Sequence, residues 1–184
     1  MRLADLTTQA GEWLRGVGPM RDVVISSRIR LARHLAGMPF LSRCSVEQQS
    51  EIATQLRDRS LGARLAPDVF YVDVSAAGEL DRQLLVERHL ISRHLANGTA
   101  PRGVVVSADE TLAVMINEED HLRIQVLRSG LQLIEAMAEI NRVDDLLEGC
   151  LDYAYHPRYG YLTACPTNVG SGLRVSVMLH LPGL

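Results

Sequence analysis

The sequence predicts an α+β domain, a mainly antiparallel β-sheet backed by helices. Short runs of β-branched residues at 104–106, 112–116 and 122–127 follow one another after only a few residues, spacing that favours antiparallel hairpins. Longer stretches of helical apolar spacing punctuate them without a regular βαβ alternation. With 184 residues, 47% of them hydrophobic, the chain is long enough for one core, and residues 1–184 are read as a single domain.

The elements follow in order. Leu6, Trp13 and Leu14 outline a short amphipathic helix closed by Gly16, Gly18 and Pro19, so that residues 1–21 form an N-terminal helix and turn ahead of a core at 22–184. Residues 22–31 (DVVISSRIRL) predict a strand. Ser45 and Gln48 form a capping-box signature opening a helix to about residue 57. A strand at 69–74 precedes a helix over 79–95, with Leu84, Leu85, Leu90, Ile91 and Leu95 on one face and Asn97-Gly98 as its stop. After the three strands, Leu133, Met137 and Ile140 mark a helix over 131–147, and residues 160–163 and 173–181 are the last strands.

Composition narrows the chemistry. The formal net charge of −3 gives no general attraction to nucleic acid or an anionic membrane. No apolar run reaches 18 residues and the N-terminus lacks a signal-peptide pattern, so a soluble, cytoplasmic protein is expected. Cys44, Cys150 and Cys165 are odd in number and make no CxxC pair, which argues against a disulfide framework or a zinc site. All 19 basic residues are arginine. Without lysine, neither a Walker A loop nor an ordinary protein-kinase site is available, and any nucleotide phosphate must be held by arginine.

The arginines are not scattered. Arg28 and Arg30 are two apart in one predicted strand, so their side chains share a sheet face while Ile29 points to the other. Adjacent cations cost free energy unless neutralised, and guanidinium forks match phosphate oxygens. Arg123 alternates with Leu122 and Ile124, and Arg174 with Val175, giving a plausible phosphate clamp built from three strands. Asn117-Glu118-Glu119-Asp120-His121 sets three carboxylates at a turn, either a solvated acidic hairpin or carboxylates aimed at a cationic substrate or magnesium. Residues 163–174 join Cys165 to a Thr/Asn/Gly loop that enters the Arg174 strand. Glycines there let backbone N–H groups approach a ligand, and an electropositive setting can activate a thiol.

SSRIR (26–30), NEEDHLR (117–123) and CPTNVGSGLR (165–174), in that order, resemble the signature set of the ATP:guanidino phosphotransferases, the phosphagen kinase superfamily. The longer strings SSRIRLAR, VERHLIS, MINEEDHLRIQ and YLTACPTNVGSGLR resemble most closely its bacterial protein-arginine kinases. The resemblance implies a phosphagen kinase (glutamine synthetase-like) catalytic fold, incomplete at its C-terminus, using ATP with Mg2+. It implies that Arg28, Arg30, Arg123 and Arg174 hold the phosphates. Ser26, Ser27, Ile29, His89, Val175, Ser176, Val177 and Met178 would line the nucleotide site. Glu119 would be the catalytic carboxylate that orients the guanidinium and takes its proton, and Cys165 the cysteine beside it. The acceptor would be arginine on protein substrates. Implied partners are a zinc-binding activator protein, a heat-shock repressor and the Clp protease machinery in stress-related quality control; a homodimer is left open. Two alternatives stand beside this reading: a small-molecule guanidino kinase, and an inactive, shortened regulator that binds nucleotide or phosphoarginine.

Overall fold

The computed structural model describes Leu6 and residues 10–183. Its sheet has six strands in the order β2-β3-β4-β5-β1-β8, every neighbouring pair antiparallel. These are β1 (Val24–Arg33), β2 (Val69–Asp73), β3 (Gly103–Ser107), β4 (Leu112–Ile116), β5 (Leu122–Ser129) and β8 (Leu173–Leu179). A separate ribbon pairs β6 (Tyr155–His156) with β7 (Gly160–Tyr161). The helices are α1 (Val46–Gly62), α2 (Glu79–Glu87), α3 (Arg93–Asn97) and α4 (Leu133–Glu148). The predicted class and most elements hold. Of the N-terminal helix, part lies outside the described residues, and Glu12–Leu14 forms a 3-10 turn.

Strand parity divides the core. On one face Ile29, Leu31, Val114, Ile124 and Val126 pack with Ile52 and Leu56 of α1 and Ile140, Val143 and Leu147 of α4. On the other, Val104, Val106, Ala113 and Met115 pack under Leu85, Leu90, Ile91 and Leu95. This second cover reaches only the β2–β4 side. Over β5, β1 and β8 no α-helix of the described residues covers the same face, and there the alternate positions carry Arg123, Arg28, Arg30 and Arg174.

Two boundaries differ from expectation. The capping box at Ser45 is complete, Ser45 N–H donating to Gln48 Oε1 at 2.9 Å and Gln48 N–H to Ser45 Oγ at 3.3 Å, but α1 runs on to Gly62 because Leu56 and Ser60 remain buried. The helix expected over 79–95 is instead broken into α2 and α3. His89 takes a left-handed backbone (φ 58°), and the Leu90 and Ile91 N–H groups both turn back to Leu85 O. The side chain of Gln125 then donates to His89 O at 2.6 Å, and Ser92 caps α3 by accepting from Leu95 N–H at 3.0 Å. Apolar periodicity continues through the break because both pieces pack on the same cluster, so the pattern alone does not reveal it.

Candidate active site

Register brings the arginines together. Arg30 lies opposite Arg174 across the β1–β8 pair and opposite Gln125 across β1–β5, while Arg123 lies opposite Ala32. Four guanidiniums thus share one sheet face, and their mutual cost is visible. Burial, then the charges of Arg28, Arg123 and Arg174, push the Arg30 guanidinium down to about 10, with Glu118 opposing. Burial followed by Arg123 and Arg174 lowers Arg28 as well. Arg28 Nε donates only to a neutral group, Ser176 Oγ, at 3.3 Å, and Arg30 Nε is buried without a partner among the described residues. Cations this crowded, with Arg28 Nε on a neutral hydroxyl and Arg30 Nε unpartnered, suit an anionic group.

Two cavities adjoin on that face. The first is lined by Ser26, Arg28, His89, Ser176, Val177 and Met178, with Leu127 at its floor. His89 enters it because of the helix break, standing edge-on to Trp13 with ring centres 4.5 Å apart. Burial and the neighbouring Arg28 hold its imidazole below the usual histidine range, so it presents a neutral ring at neutral pH. The second cavity is lined by Arg30, Arg123, Arg174, Glu118, Glu119, Asp120 and Cys165, among others. A cationic cradle therefore continues into a pocket that also holds carboxylates and a thiol.

The carboxylates of the 117–121 turn have separate tasks. Asn117, in a left-handed conformation, anchors the turn by donating to Gln49 O and Pro101 O at 2.8 and 2.9 Å. Glu118 is buried and receives Ser92 Oγ–H at 2.6 Å, Arg123 Nη1 at 2.8 Å and the Glu119 N–H at 2.9 Å. Burial alone would raise this carboxyl, but the Ser92, Arg123 and Glu119 N–H bonds outweigh it and hold it below the ordinary value. Asp120 is buried and receives the Ala164 N–H at 2.6 Å. Glu119 alone is exposed, free to meet a ligand. On the facing loop Cys165 Sγ lies 3.0 Å from Thr167 Oγ1.

Some residues named from sequence fall elsewhere. Ile29 is buried in the core beneath α4, and Val175 lies on that same face against Leu133 and Met137. Ser27 is fully buried, donating to Gly130 O at 2.7 Å and accepting from Gln132 N–H at 3.0 Å, so its hydroxyl is occupied in holding the entry to α4. Conversely, no individual role for Glu118, Ser92, Asp120 or Arg33 is legible in the sequence. Glu118 was visible only as one of three adjacent carboxylates, and nothing local says which of them turns inward.

A sheet-borne arginine cradle beside a carboxylate-and-thiol pocket offers cations to an anionic group and anions to a cationic one. The chain belongs to the ATP:guanido phosphotransferase family, whose C-terminal catalytic domain it matches over residues 52–184. Solved structures share the fold: a taurocyamine kinase of Schistosoma mansoni with transition-state-analogue components (TM-score 0.80, 23% identity, 96% of this chain and 27% of that one) and a lombricine kinase (TM-score 0.77, 23% identity, 96% and 52%). Among curated relatives it is similar to the protein-arginine kinases of Halothermothrix orenii (45% identity, all of this chain and 53% of the relative), Symbiobacterium thermophilum (49%, 94% and 50%) and Bacillus subtilis (46%, 94% and 48%). The chain thus spans about half the length of these relatives.

Proposed function

We propose that this chain carries the nucleotide cradle and acceptor pocket of a protein-arginine kinase, which transfers the γ-phosphoryl group of ATP to arginine guanidinium groups of proteins. The observation that carries the reading is the composition of the second cavity: Arg30, Arg123 and Arg174 lie in one pocket with Glu119 and Cys165. Identities of 45 to 49% to proteins named protein-arginine kinase favour a protein acceptor over a small guanidino compound.

Each part has a task. Ser26, Arg28, His89, Ser176 and Met178 form the cavity suited to the nucleoside end. Arg28, Arg30, Arg123 and Arg174 hold the phosphates, and the unpaired Arg30 Nε–H gains a partner when they do. The donor set is cationic and fits a phosphate chain, so Mg2+ would be held chiefly by the phosphate oxygens, where it offsets charge that builds during transfer. A guanidinium stays protonated far above neutral pH and is a poor nucleophile. Exposed Glu119 is placed to orient it and accept its proton, while Glu118 holds Arg123 and the Glu119 backbone in position. In the cell we place the protein in the cytoplasm, within stress-related quality control, with a zinc-binding activator protein, a heat-shock repressor and the Clp machinery as partners. No helix of the described residues is long and apolar enough to cross a membrane.

The test is incorporation of acid-labile phosphate from ATP into an arginine-rich protein. Glu119→Ala and Arg123→Ala are each expected to lower transfer on the order of 100-fold or more, the usual loss for one electrostatic group aimed at a transition state. Near-unchanged turnover in either variant refutes the assignment, and ATP binding without any transfer by the unaltered chain makes it a nucleotide-binding regulator instead.

A further inference from the structure

The loop carrying Cys165 is tied down at both ends by buried charged side chains, Asp120 in the wall of the second cavity and Arg33 outside the lining of both. At its start, Ala164 N–H donates to Asp120 Oδ1 at 2.6 Å, one residue before the cysteine and one residue after Glu119 on the opposite strand turn. Asp120 is itself buried, beside His34, whose Nδ1 is 3.5 Å away. At the loop's far end, Arg33 Nη1 donates to Ser171 O and to Ala32 O, each at 2.9 Å. The rest of the Arg33 fork is consumed by Asp144 on α4, with Nε at 3.1 and 3.2 Å from its two oxygens and Nη2 at 2.6 Å. The guanidinium also lies over the Tyr161 ring, 3.8 Å from its centre. Gly172 is pressed so closely onto β1 that a Cβ would meet Ala32 O at 2.5 Å and Arg33 Nη1 at 2.6 Å, in a left-handed backbone (φ 66°).

Strand parity explains the arrangement. Arg33 follows Ile29 and Leu31 onto the α4 face of β1, whereas Arg28 and Arg30 face the cradle. It is therefore not a fifth phosphate arginine. A buried guanidinium needs a full set of acceptors, and here these come from three separate elements: α4, β1 and the loop.

We propose that Arg33 and Asp120 are positioning residues that together clamp the Cys165 loop, Asp120 fixing its entry to the Glu119 turn and Arg33 fixing its exit to the sheet. The clamp sets the separation of Cys165 from Glu119; its benefit to catalysis rests on the kinase reading above, but its existence does not. Because Asp120 adjoins Glu119 in sequence and holds the residue before Cys165, any shift of the carboxylate turn is passed to the loop through one hydrogen bond. Arg33 leaves the loop no slack to absorb that shift at the other end.

The clamp is tested in the full chain by hydrogen exchange and by alkylation with iodoacetamide, read peptide by peptide so that Cys165 is separated from Cys44 and Cys150. In the unaltered chain the Ala164 amide is expected to exchange as slowly as the amides of β1; fast exchange there overturns the inference whether or not any variant folds. Asp120→Ala should speed both Ala164 exchange and Cys165 alkylation on the order of tenfold, the loss expected for a charge-assisted bond. Asp120→Asn, which keeps an acceptor oxygen, should restore both. Arg33→Lys, which keeps charge but loses the fork, should loosen residues 170–172 while β1 stays protected. Folded Asp120→Ala and Arg33→Lys proteins with wild-type loop exchange and Cys165 reactivity refute the clamp. In the transfer assay Asp120→Ala should lower kcat with KM for ATP held. A loop that loosens as expected with no change in kcat leaves the clamp standing and removes Cys165 from the mechanism.

Discussion

Removing one arginine from the cradle should make the ligand-free protein more stable and the ATP complex weaker. Arg30 is the residue to change, because burial and three neighbouring cations bring its guanidinium well below its ordinary value, to about 10. At about 1.36 kcal/mol per pH unit this bounds the native-state penalty at about 3 kcal/mol. The side chain is only half buried, and solvent screening reduces the usable figure to about 1 kcal/mol. The sign is that of a base with a depressed folded value: the penalty is fully present below about pH 10 and is relieved only as pH rises from there towards the ordinary guanidinium value. Neutral pH therefore lies wholly inside the penalised range. Arg30→Gln should raise the melting temperature of the ligand-free chain by about 2–4 °C, the shift that 1 kcal/mol produces at this size.

With ATP the order should invert. Losing a charge-assisted phosphate contact weakens binding by roughly tenfold to a hundredfold. At ATP of about a hundred times the wild-type Kd, the wild type gains about 2.7 kcal/mol, whereas a variant bound about thirtyfold more weakly gains about 0.9 kcal/mol. That difference exceeds the ligand-free advantage of about 1 kcal/mol. Scanning calorimetry with and without ATP, alongside titration calorimetry for the Kd, measures both halves. A variant less stable than wild type without ATP, or stabilised equally by ATP, refutes the account of the cradle as a cluster awaiting an anion.

Three further outcomes follow from buried groups. Glu118→Gln should lower the urea midpoint by an amount equivalent to about 2 kcal/mol at neutral pH. Because the wild-type carboxyl is held below 4.5 by Ser92, Arg123 and the Glu119 N–H against the upward pull of burial, that contribution is present above pH 4.5 and lost as pH falls through the lowered value; a variant with unchanged acid sensitivity contradicts it. Ser27→Ala should lose about 1–2 kcal/mol of stability, measured by denaturant titration, since it orphans Gly130 O and Gln132 N–H; a large loss of ATP affinity with stability intact would return Ser27 to the nucleotide site. His121 accepts Leu35 N–H at Nδ1 and donates from Nε2 to Pro39 O, and burial with the adjacent His34 pushes it down to about 3. Its stabilising effect is complete above about pH 6.5 and falls by about 1.4 kcal/mol per pH unit below it. His121→Asn should therefore flatten the dependence of the unfolding free energy on pH in that acid window.

Alternation of apolar residues makes β1 and β5 legible, because the parity of their core face can be counted, whereas β4 is marked by a continuous apolar run buried on both faces. The break at His89 had no such mark. Both α2 and α3 bury leucines in one cluster, and what ends the first is a tertiary bond, Gln125 reaching His89 O, together with a Ser92 cap that any helical pattern tolerates. Yet this break is what turns His89 towards Arg28, so the least readable boundary is the one that shapes the first cavity.

The site divides in the same way. Arg28, Arg30, Arg123 and Arg174 are legible because the period of two fixes the face of each within its own strand, and register then brings the strands together. Ser27, Ile29 and Val175 were drawn in with them by adjacency in the motif, and the same counting sends them to the opposite face. Glu118, Asp120 and Arg33 act through partners 26, 44 and 111 to 138 residues away. No local spacing can announce them: a carboxylate that anchors a loop and one that meets solvent differ only in which way the turn closes. Asn117 decides that by accepting a left-handed backbone and tying the turn to α1, which sends Glu118 and Asp120 inward and leaves Glu119 exposed between them. Residues 118–120 therefore work as a unit, and substituting either buried flank should disturb the exposed middle carboxylate more than its own small distance from the pocket would imply.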